Sequence, residues 1–538
     1  MAENPPFRIG SVSAADFQAK LLTITSPITG AELIQLYGAP VCGVDIYHLT
    51  FWTLGGNSAS PEVTQSSGAL MVPTGASPAC SGPRPIVLYA HATEFTKSLN
   101  LADVITNPAT NPEGVLIAAA FAAQGFIVVA PNYAGYDIST LGYHPYLNAT
   151  QQSGEMLDML AAARTALPNT LSSATSDSGK LFVTGYSEGG HVAMATQRAL
   201  LAAGKTVTAA VHSSGPYALE AELDAAVLGN VPVASTLFAP LVTTSYQHEY
   251  GNIYSATTDI YSASYATGID TLLPSTQPYP SYPALFAGHL LPETAFFDST
   301  TPTAATVQAT ILAATSNATL AAQLAVALPP LLVPPPTPIL TANPLTPVFD
   351  QGFGTPYLFN DSYRILYAAD AVGNPDPALA GTGAGLPATP PTNPLRLAAY
   401  KNDLRTRWAP NSPTLLCGGY GDPTIFFLNA LTMQAYWSTT PAAPLVGVLD
   451  LTGTVPLPPA PNPLSAFTPL QDAFNAANGI PNGTTFQAEL AYYESPAGGS
   501  LPVPQATLAA ETAVVSGTHE AETPFCLAAA AGYFKNFL

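Results

Sequence analysis

The sequence predicts an α/β fold in which a mostly parallel central sheet carries helices on both faces and a large helical insertion interrupts the alternation. Three observations lead there. Apolar runs of strand length alternate with helical patterns between residues 86 and 213. The alternation then stops for roughly 200 residues and resumes at Thr414. Finally, the run Leu181-Phe182-Val183-Thr184 ends abruptly in Gly185-Tyr186-Ser187-Glu188-Gly189, after which a helical pattern begins.

Taken in order, Val44–Trp52 and Gly68–Val72 are β-rich alternating runs separated by Gly55-Gly56-Asn57, the pattern of antiparallel strands at the start of a sheet. Ile86–Ala90 reads as a short buried strand, Val115–Gln124 as an apolar helix, Phe126–Ala130 as a strand and Gly154–Leu167 as a helix. The strand Leu181–Gly185, the helix Gly190–Leu201 and the strand Val207–Ser213 continue the series. From Gly215 to Ser412 the chain is helical, Pro-rich and Tyr-rich, with helical pieces at Leu219–Leu228, Ala234–His248, Thr306–Leu328 and Asn393–Trp408. Afterwards come a strand at Thr414–Cys417, a helix at Ile425–Trp437, a strand at Leu445–Leu451 and a loop-rich excursion over Thr452–Ser500. A Gly517-led loop carrying His519 precedes a last helix at Pro524–Phe537. The expected organisation is a catalytic core of residues 1–214 and 413–538 with a lid or cap of residues 215–412.

Composition limits the class. Hydrophobic residues make up 47% of the 538 positions and charged residues 9%, enough to bury a large core and too little charge for a disordered polymer. Lys and Arg number 14 against 34 Asp and Glu, and the net charge of −20 repels phosphate backbones and anionic membrane surfaces, so no nucleic-acid partner is expected. The longest apolar stretch, Ala318–Leu340, is no membrane span: six of the ten residues Pro329–Pro338 are proline, so it reads as a short helix running into polyproline II.

The turn at Ser187 carries the chemistry. In a G-x-S-x-G elbow the serine sits at the tightest point between strand and helix, and the flanking glycines remove collisions with the neighbouring elements. A serine hydroxyl needs a base to take its proton and an acid to hold that base. His519 is the candidate base because it alone of eight histidines follows both the elbow and the final strand. Asp422, in Cys417-Gly418-Gly419-Tyr420-Gly421-Asp422-Pro423, is the candidate acid, with Asp450 on the following strand as its rival. An oxyanion requires two N–H donors: that of Glu188, next to the nucleophile, and one from Ala92 or Thr93 in the loop after Ile86–Ala90. The Glu188 side chain is expected to stand exposed at a helix N-terminus, and His91 is read as structural.

YAHATEFTKS at 89–98, PNYAGYD at 131–137, GYSEGG at 185–190, GGYGDP at 418–423 and GTHE at 517–520 occur in one order, and with these blocks the chain resembles the secretory lipase (lipase-A-like) family of α/β-hydrolases. The resemblance implies a Ser187/Asp422/His519 triad, an oxyanion hole at Ala92/Thr93 and Glu188, a helical lid, carboxylic-ester substrates, secretion, and no cofactor. A serine peptidase on the same triad and a non-catalytic binding protein are the alternatives.

The four cysteines, Cys42, Cys80, Cys417 and Cys526, are even in number and lack C-x-x-C spacing, which favours two disulfides in an oxidising compartment over a zinc site. Cys42 and Cys80 flank the first two strands, and Cys417 and Cys526 bracket the loops of the candidate acid and base, so these are the expected pairs. No basic-then-apolar leader precedes Asn4-Pro5-Pro6, and together with the cysteines and the scarcity of lysine this favours a mature secreted or periplasmic form. The insertion is expected to roof the site, with Thr306–Leu328 and Leu331-Leu332-Val333 setting acyl preference.

Overall fold

The structure, a computed structural model, describes residues 4–25, 28–105, 111–172, 174–277, 285–286, 288, 290–297, 302–334, 346–379, 385–405, 408–459 and 462–538. Its strands are β1 (Phe7–Val12), β2 (Gly43–Leu54), β3 (Val63–Thr74), β4 (Gly82–Ala90), β5 (Ile127–Pro131), β6 (Thr175–Tyr186), β7 (Ala209–Ser213), β8 (Thr414–Gly418) and β9 (Val446–Asp450). They form one sheet in the order β1-β2-β3-β5-β4-β6-β7-β8-β9. β1, β2 and β3 pair antiparallel, β3 meets β5 antiparallel, and every pairing from β5 through β4 to β9 is parallel. That is the α/β-hydrolase arrangement the sequence predicts. The parallel strands are apolar along their length because both faces are covered: every residue of β5, β7 and β8 is buried.

The helices in the first half are α1 (Ala14–Leu21), α2 (Gly30–Tyr37), α3 (Pro112–Ala120), α4 (Ala149–Ala166), α5 (Glu188–Ala202), α6 (Leu219–Val227) and α7 (Ser235–Tyr250). α4 and α5 pack on each other and on the sheet, while α3 packs with α2 and with the C-terminal helix Thr518–Lys535, which lies along β6, β7 and β8. Among the described residues, no helix is long and apolar enough to cross a membrane.

Register places the chemistry. Ala90 pairs with Gly185, Tyr186 with Ser213, Ser213 with Cys417 and Gly418 with Asp450, so the C-terminal ends of β4, β6, β7, β8 and β9 finish side by side. Loops leaving those ends converge at one edge, where open parallel sheets form their sites.

Between β7 and β8 no described residue joins the sheet. One cluster, built on Leu237, Leu241, Tyr246, Tyr261 and Tyr367 of this segment, also takes in Phe95, Tyr146 and Leu147 from the loops of the first half of the chain. The single helix expected over Thr306–Leu328 is two helices, Ala304–Thr315 and Ala318–Ala327, because Ser316 turns left-handed (φ 55°) and the Asn317 side chain caps the second by accepting from Leu320 N. Val307, Ile311, Leu324, Leu328 and Leu332 bury themselves against Ile365 and Ala368, a cluster closed within the segment. The apolar roof expected from these residues and Leu331-Leu332-Val333 is therefore not what they build.

Two further expectations are corrected. The Thr452–Ser500 excursion is largely helical, with helices Thr468–Asn478 and Thr484–Glu494. Its breakers sit where helices tolerate them, Pro469 in a first turn, Gly479 after a last turn and Gly483 at an N-cap. His519 lies in the first turn of Thr518–Lys535 and not in a loop, because helix Val503–Ser516 runs up to Gly517 and the next begins at once. Pro524 sits inside that helix, where it removes one backbone donor without ending it.

Candidate active site

Ser187 occupies a sharp turn between β6 and α5 with φ 59° and ψ −123°, a conformation rarely held by a side-chain-bearing residue. The turn is possible because its neighbours lack Cβ atoms: a Cβ on Gly185 would come within 2.2 Å of Gly189 O, and one on Gly189 within 2.0 Å of Ala90 O. The Ser187 N–H donates to Ser213 O at 3.0 Å, and the Gly190 and His191 N–H groups donate back to Ser187 O, so the strained turn is held from both sides.

His519 Nε2 lies 2.8 Å from Ser187 Oγ, and His519 Nδ1 lies 2.6 Å from Asp422 Oδ2. The other Asp422 oxygen accepts from Thr424 N and Ile425 N at 2.8 and 3.0 Å, so both carboxylate oxygens are engaged. All three side chains are buried. Burial by itself lowers the His519 imidazole, but the adjacent Asp422 charge and hydrogen bond, with Glu520 behind them, outweigh it and leave the ring above its ordinary value. The rival acid, Asp450, points elsewhere: its carboxylate accepts from Tyr420 N, Thr452 N and Val455 N and so ties the ends of β8 and β9 together.

Beneath this arrangement lies a layer that sequence reasoning missed. Tyr186 Oη donates to the carbonyl of His519 and anchors the helix start. Glu522, one turn after His519, accepts from Ser214 Oγ at 2.7 Å, and burial beside Asp422 drives its carboxyl well above the ordinary range. Nothing local in the sequence separates Glu522 from a solvated helical glutamate.

The loop after β4, expected to supply an oxyanion donor, has a settled hydrogen-bond pattern. The Ala92 N–H, one of the two alternatives, is not free: it donates to Glu113 Oε1 and Oε2 at 3.0 and 3.3 Å. For the N–H groups of Thr93 and Glu188 the described residues supply no acceptor. Tyr133 Oη donates to His91 O and Tyr136 Oη to Glu94 O, at 3.1 and 2.5 Å, so the tyrosines of the PNYAGYD block pin the loop from below.

The Glu188 side chain is not exposed. It is 1% accessible and points inward, where Oε1 takes contacts of 2.6 Å from both His144 Nε2 and Gln152 Nε2. Tyr133 and Tyr136 rings enclose His144, with centroids 5.5 and 4.8 Å away. Truncating Glu188 strands two buried donors, so Glu188→Ala is expected to cost about 3 kcal/mol in urea unfolding, and Glu188→Gln, which keeps an acceptor, less than half of that.

Two disulfides join Cys42 to Cys80 and Cys417 to Cys526. The second ties the end of β8 to the helix that carries His519, two turns beyond the histidine.

Ser187, His519 and Thr93 open into a cleft of about 1770 Å³. It runs between α1 and α2 on one side and the helices of residues 468–535 on the other, past Leu36, Leu116, Leu470, Ala473 and Ala528. Of the described residues between β7 and β8, Phe238 alone lines it. Among the described residues, no group of three or more His, Cys, Asp or Glu side chains is arranged to hold a metal ion.

Strand order, elbow and convergent loops define an α/β-hydrolase fold, the fold of lipase- and esterase-type hydrolases. No protein-family model matches the chain, and no curated protein matches its sequence. Among solved structures it is similar to LipA, a rice cell wall degrading esterase from Xanthomonas oryzae, at 24% identity and a TM-score of 0.58 over 82% of this chain and 89% of that one. It is also similar to a candidate hydrolase from Legionella pneumophila, at 16% identity and a TM-score of 0.56 over 99% of this chain and 96% of that one.

Proposed function

We propose that this protein is a secreted serine hydrolase of carboxylic esters, of the secretory lipase type, acting through an acyl-enzyme on Ser187. The observation that carries this reading is the continuous chain from Ser187 Oγ through His519 to Asp422 at the mouth of an apolar cleft. In the proposed reaction Ser187 Oγ attacks the ester carbonyl while His519 Nε2 takes its proton. The Thr93 and Glu188 N–H groups receive the oxyanion, and His519 then returns the proton to the departing alkoxide. Water, activated by the same histidine, attacks the acyl-Ser187 carbonyl and releases the acid. Asp422 holds Nδ1 protonated throughout and stabilises the imidazolium. The esterase named among the structural neighbours is compatible with this chemistry, and the two disulfides support an oxidising compartment.

Residues 1–214 and 413–538 make the catalytic core in this reading, and residues 215–412 a cap. The cap grips the oxyanion loop directly: Ser275 N donates to Phe95 O at 2.7 Å and Lys97 N to Ser275 O at 2.8 Å. Among the described residues its direct contribution to the cleft is Phe238, and the rest of the wall comes from other helices. Acyl-chain preference accordingly resides on α2 and Thr468–Asn478. Ala473→Trp is expected to lower turnover of a p-nitrophenyl C12 ester relative to the C2 ester by at least about tenfold. Polar replacement of Leu331 and Val333 should leave the profile unchanged. An equal loss at every chain length in Ala473→Trp places the acyl group elsewhere.

The functional assignment is tested with a panel of p-nitrophenyl esters beside an aminoacyl-p-nitroanilide, together with fluorophosphonate labelling mapped by mass spectrometry. Anilide turnover exceeding ester turnover, or a label on another serine, overturns it.

A further inference from the structure

Glu113 is a half-buried residue whose carboxylate the proposed proton chain does not use, yet it lines the cleft together with Ala92, Thr93, Ser187 and His519. It sits in the first turn of α3 behind Pro112, where a carboxylate is favourable to the helix dipole. Its side chain turns inward: Oε1 accepts from Tyr89 Oη at 2.6 Å and from Ala92 N at 3.0 Å. On the other side of the same loop, His91 Nδ1 lies 2.6 Å from Ala92 O. Burial takes His91 down to about 4, so the ring is neutral at pH 7 with one proton for two facing carbonyls, Ala92 O at 2.6 Å and Asn132 O at 3.2 Å, and the shorter contact favours the tautomer that donates from Nδ1 to Ala92 O.

Two successive peptide planes are thereby fixed. The plane before Ala92 is held through its N–H by Glu113, and the plane after Ala92 through its carbonyl by His91. In a trans peptide the C=O and N–H point in opposite directions, so holding Ala92 O on the His91 ring turns the Thr93 N–H away from it. We infer that Glu113 is a positioning residue for the oxyanion hole: by accepting the Ala92 N–H it sets the loop so that the adjacent Thr93 N–H is presented to the reacting carbonyl oxygen. The inference rests on the Ser187 reading above and deepens it.

A carboxylate does this better than a carboxylic acid, because charge strengthens the accepted hydrogen bonds. Burial, opposed by the bonds from Tyr89 and Ala92 and helped by Glu94 and Glu188, leaves Glu113 pushed up to about 7. His91 and Tyr133 face the same loop, and Glu32 of α2 and His519 and Glu520 of the C-terminal helix line the cleft opposite. Charged above about pH 7 and neutral below it, Glu113 adds a second proton-linked loss of kcat on the acid side to that of His519.

The test compares the full-length wild type, Glu113→Gln and Glu113→Ala in kcat and KM between pH 5 and 9, with Ser187→Ala alongside. Glu113→Gln is nearly isosteric and decides the matter if Glu113→Ala does not fold. Expected is a kcat about tenfold lower in Glu113→Gln and up to about a hundredfold lower in Glu113→Ala, within the range for a disturbed oxyanion donor. KM should be unchanged, and the acid limb should fall from two protons in the wild type to one in Glu113→Gln. A trifluoromethyl ketone inhibitor, whose bound form carries the oxyanion, should weaken in parallel with kcat. A Glu113→Gln protein with wild-type kcat and an unchanged acid limb, or with an effect confined to KM, overturns the inference while an inactive Ser187→Ala leaves the serine reading standing. Turnover surviving in Ser187→Ala overturns both.

Discussion

Ser187→Ala is expected to reduce kcat by at least about three orders of magnitude, with His519→Ala and Asp422→Asn falling in the same range. The three side chains form one hydrogen-bonded chain with contacts of 2.8 and 2.6 Å, so each is useless to the reaction without its neighbour. The double change His519→Ala/Asp422→Asn should therefore cost far less than the product of the single effects. Asp450→Asn separates geometry from proximity. Because its carboxylate is spent on backbone donors, its loss should appear mainly as reduced stability. If Asp450→Asn lowers kcat more than Asp422→Asn does, the acid has been misassigned. The base must be neutral to act, and its pKa lies above the ordinary histidine value, so kcat should rise with pH through a midpoint above 6.5.

The second large effect concerns Cys417 and Cys526. Their bond closes a separation of 109 residues and is worth about 5 kcal/mol on a loop-entropy estimate, against about 4 kcal/mol for Cys42–Cys80 with a separation of 38. The consequences should differ in kind. Cys42–Cys80 joins the start of β2 to the turn before β4, at the end of the parallel strands away from Ser187. Cys417–Cys526 fastens the His519 helix to the strand leading to Asp422. Replacing both members of either pair by serine should lower the midpoint of urea unfolding. Only the Cys417→Ser/Cys526→Ser protein should also lose kcat under conditions where it remains folded. Equal activity in the two folded double variants would show that the bond does not hold the site.

The course of the chain was legible wherever local physics repeats. Strand-length apolar runs between helical patterns are what a sheet covered on both faces requires, and its parallel part is found as predicted; the edge strand Phe7–Val12, with one buried residue, shows no such run and is not among the strands expected from sequence. The pair of glycines around Ser187 was legible because no other residue fits between Ala90 O and the helix backbone. Chain order nominated Asp422 and His519, which the structure brings to one end of the sheet.

What the sequence could not decide depends on what a side chain meets after folding. Glu188 and Glu113 both stand in first turns of helices; from sequence, Glu188 reads as an exposed charge favourable to the dipole, and Glu113, which precedes the helix expected from Val115, is not singled out. The structure turns both inward, one to His144 and Gln152, the other to Tyr89 and Ala92, partners 44, 36, 24 and 21 residues distant along the chain. The choice between Ala92 and Thr93 as donor rests on that same long-range contact. The apolar residues of Thr306–Leu328 were visible as apolar, but their periodicity carries no address, and they close on Ile365 and Ala368 while α2 and the helices after residue 467 wall the cleft. Sequence by itself determined the strands, the elbow and the candidate reacting groups, because each is encoded by neighbours within a few residues. Tertiary structure alone decided which carboxylates bond to the loop after β4 and which helices shape the cleft, because burial and partnership are properties of the folded surface and not of the local chain.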